Sequence, residues 1–153
     1  MSEPVVVALD EQLEPIDIDR WSTLARRSLR HEGVERGELS LLFVTAEAMG
    51  ELNHEHMGRA GPTDVLSFPI DAVDEHDVGE LLLGDVVICP EYAVAHAADH
   101  RVAGEHDGGA DDEIALLVVH GVLHVLGHDH AGSDEATSMR ARERELLDEY
   151  HRA

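Results

Sequence analysis

The stretch His120-Gly121-Val122-Leu123-His124-Val125-Leu126-Gly127-His128-Asp129-His130, entered from the apolar run Ile114 to Val119, decides how the chain is read. From Asp112 to Leu126 the residues are apolar on most sides at helical spacing, which predicts a helix buried at the centre of the domain. Two histidines four apart on such a helix lie about 40° apart around its axis, so both imidazoles leave from one face. Gly127 falls where the helix can stop in a left-handed residue, a conformation that glycine adopts cheaply. The chain can then double back and bring His130 to the same point from outside the helix. Three imidazoles with a fourth position open form the arrangement of a catalytic zinc site. With 12 histidines in 153 residues, chance supplies this spacing on the order of 0.1 times. A metal site on His120, His124 and His130 is therefore the expectation. His128 competes for the third place, because it lies eight residues after His120 and would face the same way if the helix continued. Asp129 reads either as a carboxylate that orients an imidazole N–H or as a turn residue beside Gly127.

Outward from this helix, the patterns place a strand over Pro4 to Leu9, a helix from about Asp19 to His31, and a strand from Glu38 to Thr45. A helix from Ala46 to His54 follows, with Thr45 as its N-cap. Val65 to Ile70 and Leu81 to Cys89 read as strands, and Glu91 to His100 as a helix. Asp71 to Glu80 and Gly104 to Asp111 read as acidic loops. The last amphipathic helix runs from Asp134 to Tyr150, with Ala136, Met139, Leu146 and Leu147 on its inner face. Strands and helices interleave without regular alternation, so the fold class is α+β, a small mixed sheet packed with helices. At 153 residues the chain is sized for one domain, residues 1–153.

Composition narrows the function classes. Only 3% of residues are aromatic, which leaves an aliphatic core. No apolar stretch approaches the roughly 20 residues needed to cross a bilayer, and Met1-Ser2-Glu3-Pro4 lacks the basic and apolar regions of a secretory signal. The one cysteine, Cys89, cannot close an internal disulfide and fits a reducing compartment. The expected location is the cytoplasm, with no membrane partner. A net charge of −22, with arginine as the sole strong cation, argues against nucleic acid as a partner, unless it belongs to a solvated surface unrelated to function.

The spacing of the three histidines matches the zinc ligands of metzincin peptidases, but Gly121 stands where those enzymes place the glutamate that serves as general base. Peptide hydrolysis is thus disfavoured. Taken with Gly61-Pro62-Thr63-Asp64-Val65-Leu66-Ser67-Phe68-Pro69 and Leu83-Gly84-Asp85-Val86-Val87-Ile88, the histidine block resembles the bacterial YbeY family of zinc-dependent endoribonucleases. The likeness spans roughly residues 38–148. It implies a single zincin-like domain around a central metal-binding helix, one zinc ion on His120, His124 and His130, and cleavage of single-stranded RNA. It also implies maturation of the 3′ end of small-subunit ribosomal RNA, ribosome quality control and small-subunit partners. Two departures stand out. Met57 occupies the place of a family arginine thought to hold the RNA phosphate, and His128 stands where the family usually shows tyrosine.

For a phosphodiester, zinc can polarise a non-bridging oxygen, while its bound water, acidified toward pKa ~7, serves as nucleophile or base. Arg59 is the candidate phosphate contact in place of Met57. Asp64 and Ser67 fall in a strand expected to border the cleft, Asp64 equally as a residue that bonds the backbone. Asp85 and Cys89 read as structural. His54, His56, His96, His100 and His106 read as surface. Arg59, Arg101 and the group Arg140, Arg142 and Arg144 could form a positive patch, although the last three could equally pair with Glu143, Glu145 and Asp148 along a solvated face. Two other function classes stay open: a zinc hydrolase acting on another substrate, and a ribosome-associated protein whose zinc is structural and closed by four ligands.

Overall fold

The computed structural model describes residues 4–12, 16–58, 61, 63–69, 82–95, 109–127 and 133–151, without the side chains of 133, 135 and 136. Among these residues four strands form one sheet: β1 (Pro4–Glu11), β2 (Gly37–Val44), β3 (Val65–Pro69) and β4 (Leu82–Ile88), in the order β1-β2-β4-β3. β2 pairs parallel with both β1 and β4, whereas β3 runs antiparallel to β4 and is the last strand of the sheet among the described residues. The helices are α1 (Ile18–His31), α2 (Ala46–Met57), α3, whose described part is 90–95, α4 (Ala110–Val125) and α5 (Ser133–Tyr150). The mixed α+β architecture agrees with the sequence expectation.

Local chemistry sets the boundaries. Asp17 caps α1 by accepting from the Arg20 backbone N–H at 3.2 Å. Thr45 caps α2 as expected, its Oγ1 accepting from the Ala48 N–H at 3.1 Å. That helix runs to Met57, three residues past the expected end, and stops at Gly58, whose φ of 66° is left-handed. Helix α4 begins at Ala110, earlier than expected, with Gly109 before it. The expected loop 71–80, most of 104–111 and the second half of the expected helix 91–100 lie outside the described residues.

The sheet separates two cores. On one face α1 packs on β1 and α4 on β4 and β3, and Trp21, Leu29, Leu41, Phe43, Ile88 and Leu123 interlock with Met139, Leu146 and Leu147 of α5. On the other face α2 packs Met49 against Val44, Leu66, Val87 and Cys89. Eleven of the 16 residues of α4 are buried, the pattern of a helix enclosed on nearly every side. Arg20 fastens this layer together, donating to Asp111 at 3.3 Å and to His151 Nδ1 at 3.2 Å, while His151 Nε2 donates to Asp112 at 2.7 Å.

Candidate metal centre

His120 and His124 sit one turn apart on α4 with ring centroids 4.7 Å apart and planes inclined by 68°. They are the two half-exposed positions in the apolar part of that helix, the His120 side chain being 26% exposed. The helix ends at Val125, and Gly127 takes a φ of 99° while its N–H donates to the His124 carbonyl at 3.0 Å. The expected glycine stop is thus present, and α4 does not continue toward His128. His128, Asp129, His130 and Arg59 lie outside the described residues. Among the described residues no group of three metal-binding side chains assembles, and His130, the third ligand expected from the sequence, is not one of them.

One member of the site was misread from sequence. Glu143, which the sequence offered as a pairing partner for arginines on a solvated face in one of two equal readings, is only 8% exposed, and its Oε1 lies 2.6 Å from His120 Nδ1. The signal was present in the spacing: Glu143 falls four residues after Met139 and three before Leu146, on the stripe of α5 that faces the core. Arg142 does pair on that helix, with Glu145 at 3.6 Å and with Glu32 of α1's end at 3.5 Å. Arg140 and Arg144 are exposed, and Arg101 is outside the described residues.

The edge strand lies against the histidine helix. Ser67 Oγ of β3 donates to the Gly121 carbonyl at 3.3 Å. A Cβ at Gly121 would come within 2.5 Å of Val86 Cγ1 and 3.4 Å of Ser67 Oγ, so α4 touches the sheet with no room for a side chain there. Glycine costs a helix interior about 1 kcal/mol relative to alanine, and this close approach is the compensating reason for it. The place that carries glutamate in metzincins is therefore sterically closed here. Asp64 serves the backbone: its Oδ1 accepts from the Val65 N–H at 2.8 Å and from Thr63 Oγ1 at 3.4 Å, and its carbonyl accepts from the Cys89 N–H at 3.0 Å. Met57 is exposed at the end of α2, and Asn53 holds the following loop by donating to the Gly61 carbonyl at 2.9 Å. His54 and His56 are exposed as expected, although His56 rests on Phe68 of β3 with ring centroids 5.0 Å apart. Asp85 is exposed on β4. Cys89 is fully buried, and burial pushes its thiol above the ordinary value of 9.0.

The residues present suit a zinc ion: two imidazoles on one turn, partly open to solvent, one of them held at Nδ1 by a carboxylate as outer partners hold ligating histidines. The family model for Endoribonuclease YbeY matches residues 8–151. The chain belongs to the YbeY family. A protein of Salinispora tropica named Endoribonuclease YbeY is 46% identical over 145 residues, covering 86% of this chain and 87% of its own. One from Beutenbergia cavernae is 43% identical over 140 residues, with 87% and 89% covered. The YbeY relative from Mycolicibacterium vanbaalenii is 48% identical over 119 residues, and the match spans 61% of that longer protein. The fold is also that of the solution structure of TM1509 from Thermotoga maritima, with a TM-score of 0.55 at 19% identity over 95% of this chain and 91% of that one.

Proposed function

We propose that the chain is a zinc-dependent endoribonuclease that cuts single-stranded RNA, acting in the cytoplasm on the 3′ end of small-subunit ribosomal RNA and in ribosome quality control. The observation that carries the reading is the His120–His124 pair, half-exposed on an otherwise enclosed helix and set against an edge strand. Its relatives' names, over the same residues, supply the substrate class. His120, His124 and His130 would hold one zinc ion in a single zincin-like domain, residues 1–153. Zinc, when bound, supplies Lewis acidity and a water acidified toward neutrality.

The chain's own residues do the rest. Helix α4 presents both imidazoles on one turn, and the Ser67–Gly121 contact keeps β3 pressed beside them. Because β3 ends the sheet, its outer edge is the wall along which an RNA strand would lie. Arg59, two residues past the exposed Met57 at the end of α2, would contact the phosphate. The closed position at Gly121 leaves no place for the glutamate of a peptidase.

The test is to incubate the purified protein and a His124→Ala variant with RNA carrying a single-stranded 3′ extension, with and without a zinc chelator, beside an unstructured peptide. Cleavage of RNA alone, lost in the variant and on chelation, is the expected result. Cleavage retained by the variant would reveal a contaminating nuclease. One tightly bound zinc per chain without any cleavage would replace this reading with a structural or partner-dependent role.

A further inference from the structure

We propose that Glu143 is a positioning residue for the metal: it fixes the tautomer of His120 and thereby selects, before any ion arrives, the nitrogen that ligates. The inference rests on the zinc reading above. A neutral imidazole carries one N–H donor and one bare acceptor nitrogen, and an ionised carboxylate only accepts. With Glu143 Oε1 at 2.6 Å from His120 Nδ1, the proton belongs on Nδ1 and the lone pair on Nε2. The Glu143 side chain is 10% exposed, and on its own helix it stands between the buried Met139, Leu146 and Leu147. Shielding of this kind strengthens a charge-assisted hydrogen bond relative to one in water. Neutral histidine in water favours the opposite form, with the proton on Nε2, where it would block a metal. The carboxylate therefore reverses an intrinsic preference.

Position matters as well as protonation. Glu143 comes from α5, a different element from the helix that carries His120, so the bond ties the imidazole's rotation to the packing of α5 on α4. His120 is partly open to solvent, and without this contact its ring has one restraint fewer. Outer partners of ligating histidines act in this way, fixing ring orientation and raising ligand basicity.

The experiment uses the full chain stripped of metal, at about pH 8. Long-range proton–nitrogen correlation spectra report which nitrogen of each histidine carries the proton, and competition with a chromophoric chelator reports zinc affinity. The wild-type protein should show His120 protonated at Nδ1. Glu143→Leu should shift His120 toward the Nε2–H form and weaken zinc binding about 10–100-fold, with circular dichroism confirming that the chain is folded. Glu143→Gln has the shape of the native side chain and can either accept or donate, so it tests the same point if the leucine variant does not fold. Its affinity should fall between the other two. A wild-type spectrum with the proton on Nε2, or zinc affinity undiminished in both folded variants, would overturn the positioning role while leaving the zinc reading intact. Wild-type protein that takes up no zinc would overturn both.

Discussion

A methyl group at position 121 has nowhere to go. The nearest atom, Val86 Cγ1, would be 2.5 Å away, and valine is held to a narrow range of rotamers by its branched Cβ. Gly121→Ala is expected to lose about 1–3 kcal/mol to overpacking, offset in part by the helix propensity of alanine, about 1 kcal/mol. Urea unfolding should therefore show a net loss. Combined with Val86→Ala, which opens the space, the two changes should be less harmful than their sum, a coupling that a double-mutant cycle reads directly. Cys89 gives the second prediction at this scale. Its pKa in the folded chain is raised above 9.0, first by burial, with Glu91 and Asp64 adding negative charge nearby against hydrogen bonds from the Tyr92 and Glu91 backbone. A raised folded pKa means that the unfolded chain loses the proton first. Stability is fully present below about pH 9 and falls as pH rises through the folded value. Unfolding curves at pH 7, 9 and 10 should show that fall, smaller in Cys89→Ala, and thiol reagents should react slowly until the chain unfolds. The juxtaposition of His120 and His124 was legible at this scale because four-residue spacing fixes a shared helix face. Glu143 was not, because a charged residue among arginines reads as solvated until the apolar positions flanking it in the helical repeat are given their weight.

Elements were legible where a local chemical signal marks them. Thr45 announces α2, and Thr45→Ala should lower stability by about 1 kcal/mol, measurable as a lower thermal midpoint. A midpoint unchanged by the substitution would mean that tertiary packing of Met49, rather than the cap, holds the start of α2. Gly127 announces the end of α4, and the long apolar run announces its burial. Strand order was not legible: Val65–Pro69 carries no pattern that says it ends the sheet, because that depends on pairing with Leu82–Ile88 rather than on its own residues. The end of α2 was missed for a related reason. His54 to Met57 is polar or exposed, so periodicity faded there, whereas the stop lies in the left-handed Gly58.

Across the whole molecule the dominant quantity is a net charge of −22. An RNA-binding protein normally loses affinity as salt rises, since its cations release counterions from phosphate. Here the long-range field repels the substrate, and salt screens that repulsion over a Debye length of about 10 Å at 0.1 M. The rate of RNA cleavage at low substrate concentration should therefore rise between about 20 and 150 mM monovalent salt. A steep fall over that range would mean that a local cluster of arginines outweighs the overall charge. Composition made this charge legible at once, but gave no hint of where its few cations lie, and Arg142 is already engaged by Glu32 and Glu145.

The order β1-β2-β4-β3 also has a consequence in time. During synthesis β1, α1 and β2 emerge first, and β2 then waits with one edge unpaired for Leu82–Ile88, roughly two to eight seconds at ordinary elongation rates. An open edge of that kind invites pairing with the same edge on a neighbouring nascent chain. By residue 81 the emerging chain carries 18 acidic residues against 6 arginines. Mutual repulsion among nascent chains on one message thus works against that pairing during the interval in which the half-built sheet is exposed.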